Sequence, residues 1–287
     1  MSNDSKQLVA VMGRGIVPTD TPLVVADDLG LTRGDGCFDA VRVAVSDGRV
    51  RVDHLEPHLA RFARSAAALD LPAPDLDQWR ALISEAIGAW DVPGVAVLKL
   101  VLTRGPERQP GHPTSLLTIT SVAPSVDKER AGIHVITLNR GYAADAFVDA
   151  PWLLGGVKYL SYAINMAARR EAAARGADDV LFVSADGYAL EGPTAGLIVA
   201  TDDRLWTTST EGTGILASVT IGVIFAEAAK HGVDTGACLF RPDDLVHSQG
   251  AWLVSAIRGV QPILTLDGVA LPHNSEITAV LSAAAGF

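Results

Sequence analysis

Apolar and polar positions alternate over two short early runs, Val41-Arg42-Val43-Ala44-Val45 and Arg49-Val50-Arg51-Val52. A period of two predicts half-buried strands. Ser46-Asp47-Gly48 between them predicts a hairpin, because Asp and Gly tolerate left-handed backbone angles. The period then changes. Leu55, Leu59, Phe62, Ala66 and Leu69 recur in steps of four and three and predict one face of a helix. Pro57 falls early in it, where a missing N–H costs least. Trp79, Leu82, Ile83, Ala86 and Ile87 predict a second helix from near Asp77, and Val95 to Thr103 and Leu116 to Val122 read as strands.

Composition shifts at Ala123-Pro124-Ser125-Val126-Asp127-Lys128. The shift predicts an interdomain linker over 123–130, between a smaller domain at 1–122 and a larger one at 131–287. The second part opens with a strand, Ile133 to Leu138. An alanine-rich helix follows Lys158 and runs up to Gly176. After it come the strand Val180 to Val183, the turn Asp186-Gly187 and the strand Leu197 to Ala200. Thr220 to His231 predicts a helix stopped by Gly232. Trp252 to Ser255 reads as a strand, and Asp267-Gly268 as another hairpin turn. Hairpin signals outnumber parallel crossovers, so the expectation is an α+β protein of two unequal domains.

Charge changes the picture by exclusion. A net charge of −10, with no basic run longer than Arg169-Arg170, argues against a nucleic-acid partner. Cys37 and Cys238 are too few for a disulfide scaffold and suit a reducing compartment. The opening Met1-Ser2-Asn3-Asp4-Ser5-Lys6 lacks the apolar core of a secretion signal. No uncharged apolar run approaches the ~20 residues that span a bilayer. The expectation is a cytoplasmic protein with neither membrane nor nucleic acid as partner. There is no nucleophile elbow, His-Glu-x-x-His or Walker loop, and the seven histidines are scattered, so no metal is expected.

One constellation carries chemistry. Lys158 stands in Gly155-Gly156-Val157-Lys158-Tyr159-Leu160-Ser161-Tyr162, and Glu191 stands in Leu190-Glu191-Gly192-Pro193-Thr194, just after a strand and a turn. Together with Gly34-Asp35-Gly36-Cys37-Phe38-Asp39-Ala40-Val41-Arg42 and His58-Leu59-Ala60-Arg61-Phe62, these stretches resemble the fold-type IV pyridoxal-phosphate enzymes. That family contains branched-chain and D-amino-acid transaminases and 4-amino-4-deoxychorismate lyase. The resemblance covers about Asp27 to Leu271. It implies two unequal α/β domains with pyridoxal 5'-phosphate between them, and a homodimer.

The resemblance also assigns roles. Lys158 is the catalytic lysine that forms a Schiff base with the cofactor, and Glu191 faces the pyridine nitrogen. The phosphate is expected at the helix start in Leu216-Ala217-Ser218-Val219-Thr220-Ile221, through Val219 and Thr220, with Arg61 reaching it as well. Ile221 replaces an arginine of the family, and Gly196 an asparagine. Tyr162, four residues after Lys158, shares a helical face with it if the helix has begun, and is expected at the cofactor's phenolic oxygen. Asp39 takes the place of an acidic residue at the substrate pocket. Arg104 and Arg108 lie on the segment that binds substrate carboxylates, there from the partner subunit, and a planar guanidinium suits that task. Ala256 and Arg258, in Ser255-Ala256-Ile257-Arg258, are further substrate-side candidates.

Cys37 draws the match toward the lyase branch, while Asp39 and Tyr162 draw it toward the transaminases. The resemblance implies first a lyase that makes 4-aminobenzoate and pyruvate for folate synthesis. The alternative is an aminotransferase acting on a D-amino or branched-chain acid, with dual activity a further option.

Overall fold

The computed structural model describes residues 6–123, 126–202 and 204–287. The chain divides into two compact units. One runs up to Ala123 and also takes in Val157–Ser161; the other comprises 124–156 and Tyr162–Phe287.

In the first unit, β1 (Gln7–Val11), β2 (Gly15–Val17), β3 (Gly36–Ser46), β4 (Arg49–Val52), β5 (Gly94–Thr103) and β6 (Ser115–Ser121) form one sheet in the order β2-β1-β6-β5-β3-β4. Every pairing is antiparallel. The hairpin expected at Asp47-Gly48 joins β3 to β4, with both turn residues at positive φ (50° and 70°). Among the described residues three helices complete the unit: the short α1 (Leu29–Arg33), α2 (Leu55–Ala68) and α3 (Leu76–Gly88). Asp75 starts α3 by accepting the N–H groups of Asp77 and Gln78. The period of two sends Cys37, Val41, Val43 and Val45 of β3 to the face where β5 presents Leu98, Leu100 and Leu102. There Leu59, Phe62 and Ala66 of α2 and Trp79, Leu82, Ile83 and Ala86 of α3 close a single core. Phe62 and Trp79 meet edge to face, 5.2 Å between centroids.

The second unit opens with α4 (Val126–Arg130), inside the stretch expected as linker. Arg130 donates to the carbonyls of Ile257 and Arg258, which makes α4 part of this unit. Next come β7 (Ile133–Asn139), α5 (Ala163–Ala174), β8 (Asp179–Val183), β9 (Gly196–Ala200) and β10 (Arg204–Thr208). They are followed by α6 (Val219–Lys230), β11 (Asp234–Cys238), β12 (Gly250–Ser255), β13 (Gly259–Leu266), β14 (Val269–Ala270) and α7 (Ser275–Ala284). The sheet order is β11-β10-β9-β12-β13-β7-β8, with β14 beside β13. Leu197, Val199 and Leu253 face one core, while Ile198, Ala200, Trp252 and Val254 face another under α6 and α7. Three pairings are parallel: β10 with β11, β13 with β7, and β7 with β8. The hairpin-rich expectation therefore describes the first unit fully and the second in part.

The helix after Lys158 starts later than its position suggests. α5 begins at Ala163, and Lys158 lies in an extended stretch. Long-range pairing overrides local propensity here: Phe38 N–H bonds Lys158 O at 3.0 Å and Leu160 N–H bonds Gly36 O at 2.9 Å. Val157–Ser161 thereby lies along the part of β3 that β4 leaves unpaired.

Candidate active site

Lys158 is fixed by its own peptide. Its carbonyl accepts from Phe38, and its N–H donates to Ser65 Oγ of α2 at 3.1 Å. The side chain returns over β3 and sets Nζ 4.7 Å from the Phe38 ring centroid, a cation–π distance. The glycine pair before it is needed on steric grounds. A Cβ at Gly155 would fall 2.9 Å from Gly214 Cα, and Gly156 adopts φ +72°. A rigid backbone with an amine on a long tether suits a group that must reach, bond and move protons.

Asp39 is two residues from Cys37 and so turns into the same core. Asp39, a substrate-side candidate, is fully enclosed in the unit, with its carboxylate bonded there. Arg61 grips it with Nε (2.9 Å) and Nη2 (2.8 Å), His58 Nδ1 lies 2.7 Å away, and Ala40 N–H adds a fourth contact. Burial alone pushes this carboxyl up; hydrogen bonds from Arg61 and His58, with their charge, overcome burial and hold it well below the usual carboxylate range. Arg61, three residues after His58, lies one turn before Ser65 on α2. One unit thus brings Lys158, Asp39 and Arg61 together.

The lowered value fixes the sign of a pH effect. Asp39 contributes stability in full above the unfolded carboxylate range, ~4, and loses it progressively as pH falls toward the folded value. Asp39→Asn is expected to cost about 3–5 kcal/mol at pH 7, the penalty for breaking a buried pair. It should also flatten the acid limb of stability below about pH 4. Urea unfolding across that range checks both, and an unchanged midpoint at neutral pH would refute the role.

The neighbouring Cys37 thiol is pushed up to about 12, by burial first and then by Asp39. It is a packing residue rather than a nucleophile. Arg104 donates to Asp35 at 2.6 Å and to the carbonyls of Leu69 and Asp70. Arg108 is held only at 3.2 Å by Asp27, and its side chain is 72% exposed. Of the two arginines, Arg108 is the one presented outward.

In the second unit, Glu191 leaves β8's neighbourhood with its carbonyl bonded to Phe182 N–H at 2.9 Å. Its Oε2 accepts Leu216 N–H at 3.2 Å. Leu216 leads straight into α6, so a carboxylate and a helix N-terminus are built side by side. Ser218 caps α6 through Ile221 N–H. Val219 and Thr220 are the first two helical residues, whose N–H groups have no carbonyl one turn back. The Thr220 side chain is buried beside them. The two departures from the family pattern are linked in space: a Cβ at Gly196 would fall 2.7 Å from Ile221 Cδ1. Ile221 fills the room that a larger residue at 196 needs.

Tyr162 stands directly before α5 and belongs to the second unit, whereas Lys158 belongs to the first. The shared helical face expected for them does not form. Ala256 lies in the turn between β12 and β13. Arg258, expected on the substrate side, is buried and committed to Asp179 at 2.5 Å and to Thr194 Oγ1 at 2.9 Å. Sequence reasoning missed Asn165, which donates to the Pro193 carbonyl at 2.6 Å. An asparagine on the buried side of an alanine-rich helix was the available signal.

These residues fit pyridoxal phosphate. The start of α6 offers N–H donors and a hydroxyl suited to a phosphate, Glu191 offers an acceptor for a protonated ring nitrogen, and Lys158 offers an amine for an aldehyde. No group of three or more His, Cys, Asp or Glu able to hold a metal occurs among the described residues.

Comparison with known proteins agrees. The amino-transferase class IV family matches residues 36–266. The chain is 38% identical, over 97% of its length and 98% of the relative's, to the bifunctional aminodeoxychorismate lyase / D-amino acid transaminase of Mycobacterium tuberculosis. Among solved structures, a fold IV-transaminase from Curtobacterium pusillum superposes with a TM-score of 0.89 at 40% identity, covering 97% of this chain and 98% of that one. A hypothetical aminotransferase from Mycobacterium tuberculosis in its PLP-bound form gives 0.91 at 38% identity, covering 98% of each chain. Its form with α-ketoglutarate and PMP gives 0.91 at 40%, covering 97% and 98%. The chain belongs to the class IV amino-transferase family and is a pyridoxal-phosphate enzyme of fold type IV.

Proposed function

We propose that the protein is a 4-amino-4-deoxychorismate lyase that releases 4-aminobenzoate and pyruvate, in the service of folate synthesis. The observation that carries this reading is the pairing of Lys158 with Gly36–Phe38, because the stretch that resembles the lyase branch is the one that holds the catalytic lysine. The 38% identical relative with lyase activity in its name supports it. When bound, the cofactor supplies an aldehyde for the substrate amine and a ring that draws in the electron pair left by a broken C–H bond.

Each residue has a task in this reading. Lys158 would hold the cofactor's aldehyde through its amine, free that amine while the substrate's takes its place, and take the aldehyde back as 4-aminobenzoate leaves with its nitrogen. Between those two exchanges it takes the proton from the ring carbon bearing the substrate amine. The electron pair completes the aromatic ring as the neighbouring C–O bond breaks, and enolpyruvate departs, gaining a proton to become pyruvate. Glu191 holds the proton at the pyridine nitrogen. Val219, Thr220 and Arg61 would hold the phosphate, and Tyr162 would serve the phenolic oxygen. Asp39 orients Arg61 from within the core.

Transamination is the second reading. It is favoured by the exposed Arg108 side chain, a guanidinium suited to a substrate carboxylate. The transaminase names of the relatives point the same way. The assembly we infer is a homodimer, in which Arg108 reaches the partner's pocket. The exposed apolar side chains Val148, Trp152, Leu153 and Ile164 support a buried contact. Two free cysteines among the described residues support a cytoplasmic location.

One experiment tests these points together, with the mass of the active protein by light scattering expected at twice the chain's 30.0 kDa. Aminodeoxychorismate is expected to give 4-aminobenzoate and pyruvate in equal amounts with no added keto acid. Absence of 4-aminobenzoate, with rapid amino transfer from a D- or branched-chain amino acid to a keto acid, overturns the lyase in favour of the transaminase. An active monomer overturns the assembly.

A further inference from the structure

The turn after Glu191 is gripped from two sides. Gly192 and Ala195 close it through the Gly192 N–H to Ala195 O bond at 2.8 Å. Asn165 of α5 donates to the Pro193 carbonyl at 2.6 Å. Arg258, from the turn between β12 and β13, donates Nη2 to Thr194 Oγ1 at 2.9 Å.

Arg258 is itself anchored on several elements. Its Nη1 meets Asp179 Oδ2 at 2.5 Å and Glu129 Oε2 at 3.4 Å. Its backbone N–H donates to Ser255 Oγ at 3.2 Å, and its carbonyl accepts from Arg130 at 2.9 Å. Gln261 steadies Glu129 at 2.6 Å. Asp179 is wholly enclosed at the start of β8, with its other oxygen on Val180 N–H. Turning this guanidinium toward a substrate would strand a buried carboxylate. A planar fork held at Nη1 has little freedom at Nη2. The hydroxyl at its far end belongs to the turn that follows Glu191, which lies three residues before Thr194.

We propose that Arg258 is a positioning residue for Glu191. Anchored on Asp179 and Glu129, it fixes Thr194, and with Asn165 it sets the direction from which the Glu191 carboxylate meets the cofactor's ring nitrogen. The turn between β12 and β13 that carries Ala256 is thereby tied to the turn after Glu191. This rests on the reading of Glu191 as the ring-nitrogen partner.

Thr194→Val tests it, because valine keeps the shape and removes only the hydroxyl. In the holoenzyme, in whichever reaction of the assay above is faster, kcat is expected to fall about 10- to 100-fold, the cost of a small misplacement. KM should stay within about twofold. The pH midpoint of the bound cofactor's visible band should move, because the proton at the ring nitrogen is held less firmly. Thr194→Ser should restore both. In a Glu191→Gln background, Thr194→Val should add nothing, since the group it positions is already lost.

A Thr194→Val enzyme with parental kcat and band midpoint overturns the proposal, as does a Thr194→Ser variant no better than valine, which would mean packing alone. If Glu191→Gln leaves rate and spectrum unchanged, the reading beneath the proposal fails instead. If Glu191→Gln acts and Thr194→Val does not, the clamp alone fails.

Discussion

Lys158→Ala is expected to yield a folded protein that binds pyridoxal phosphate loosely, shows no borohydride-reducible attachment and turns over at least ~10⁴-fold more slowly. That figure is the upper end of what one proton-moving group contributes, and the lost covalent hold adds to it. The fold should survive because the two hydrogen bonds that seat this residue belong to its peptide, one to Ser65 and one from Phe38. Among what the substitution removes from the folded state is the contact with the Phe38 ring, about 0.5–1 kcal/mol where exposed. Mass spectrometry of borohydride-treated parent should find the cofactor on the peptide containing Lys158. A variant that remained fully active with the cofactor on Lys6, Lys99, Lys128 or Lys230 would remove the basis for the site.

Glu191→Gln has the second largest effect. The amide is isosteric and keeps an oxygen for Leu216 N–H, so the turn and the start of α6 should be preserved. It has no negative charge, and on the proposed role of Glu191 the ring nitrogen would lose its proton more readily. Loss of one aimed electrostatic group costs about 10²–10³-fold in turnover, or roughly 2.7–4 kcal/mol. Steady-state rates on the better substrate measure this directly. Activity within a factor of about two of the parent would put Glu191 outside the reacting shell.

Local signals were legible where the chain answers to its near neighbours. Asp47-Gly48 announces a hairpin because both residues must take positive φ, and they do. Leu59, Phe62 and Ala66 announce the buried face of α2, and Trp79, Leu82 and Ile83 that of α3. The Lys158 and Glu191 motifs were readable because spacing and flanking glycines survive in one dimension. What was not legible depends on distant partners. Tyr159 looks helical beside an alanine-rich run, yet it bridges Cys37 across more than a hundred residues. Asp39 reads as a pocket acid, since nothing in its own stretch shows that Arg61 and His58 will enclose it. Arg258 reads as a carboxylate ligand for the same reason, its partner Asp179 lying far upstream. The short strands β10 and β11 pair in parallel around α6, and no turn signal marks such a pairing.

Val157–Ser161 has a consequence for how the gene could be cut. The chain enters the second unit after Ala123, returns to the first for five residues and leaves it again. A fragment ending at the apparent boundary would therefore lack both the lysine and the segment that seats against Gly36–Phe38. Exchanging front halves between relatives would leave Lys158 facing a foreign β3. On the ribosome, the first unit cannot finish until the chain has been made past Ser161, so its last contacts close late and over a long loop. The reactive amine is thus the final piece of a structure whose core is already complete without it.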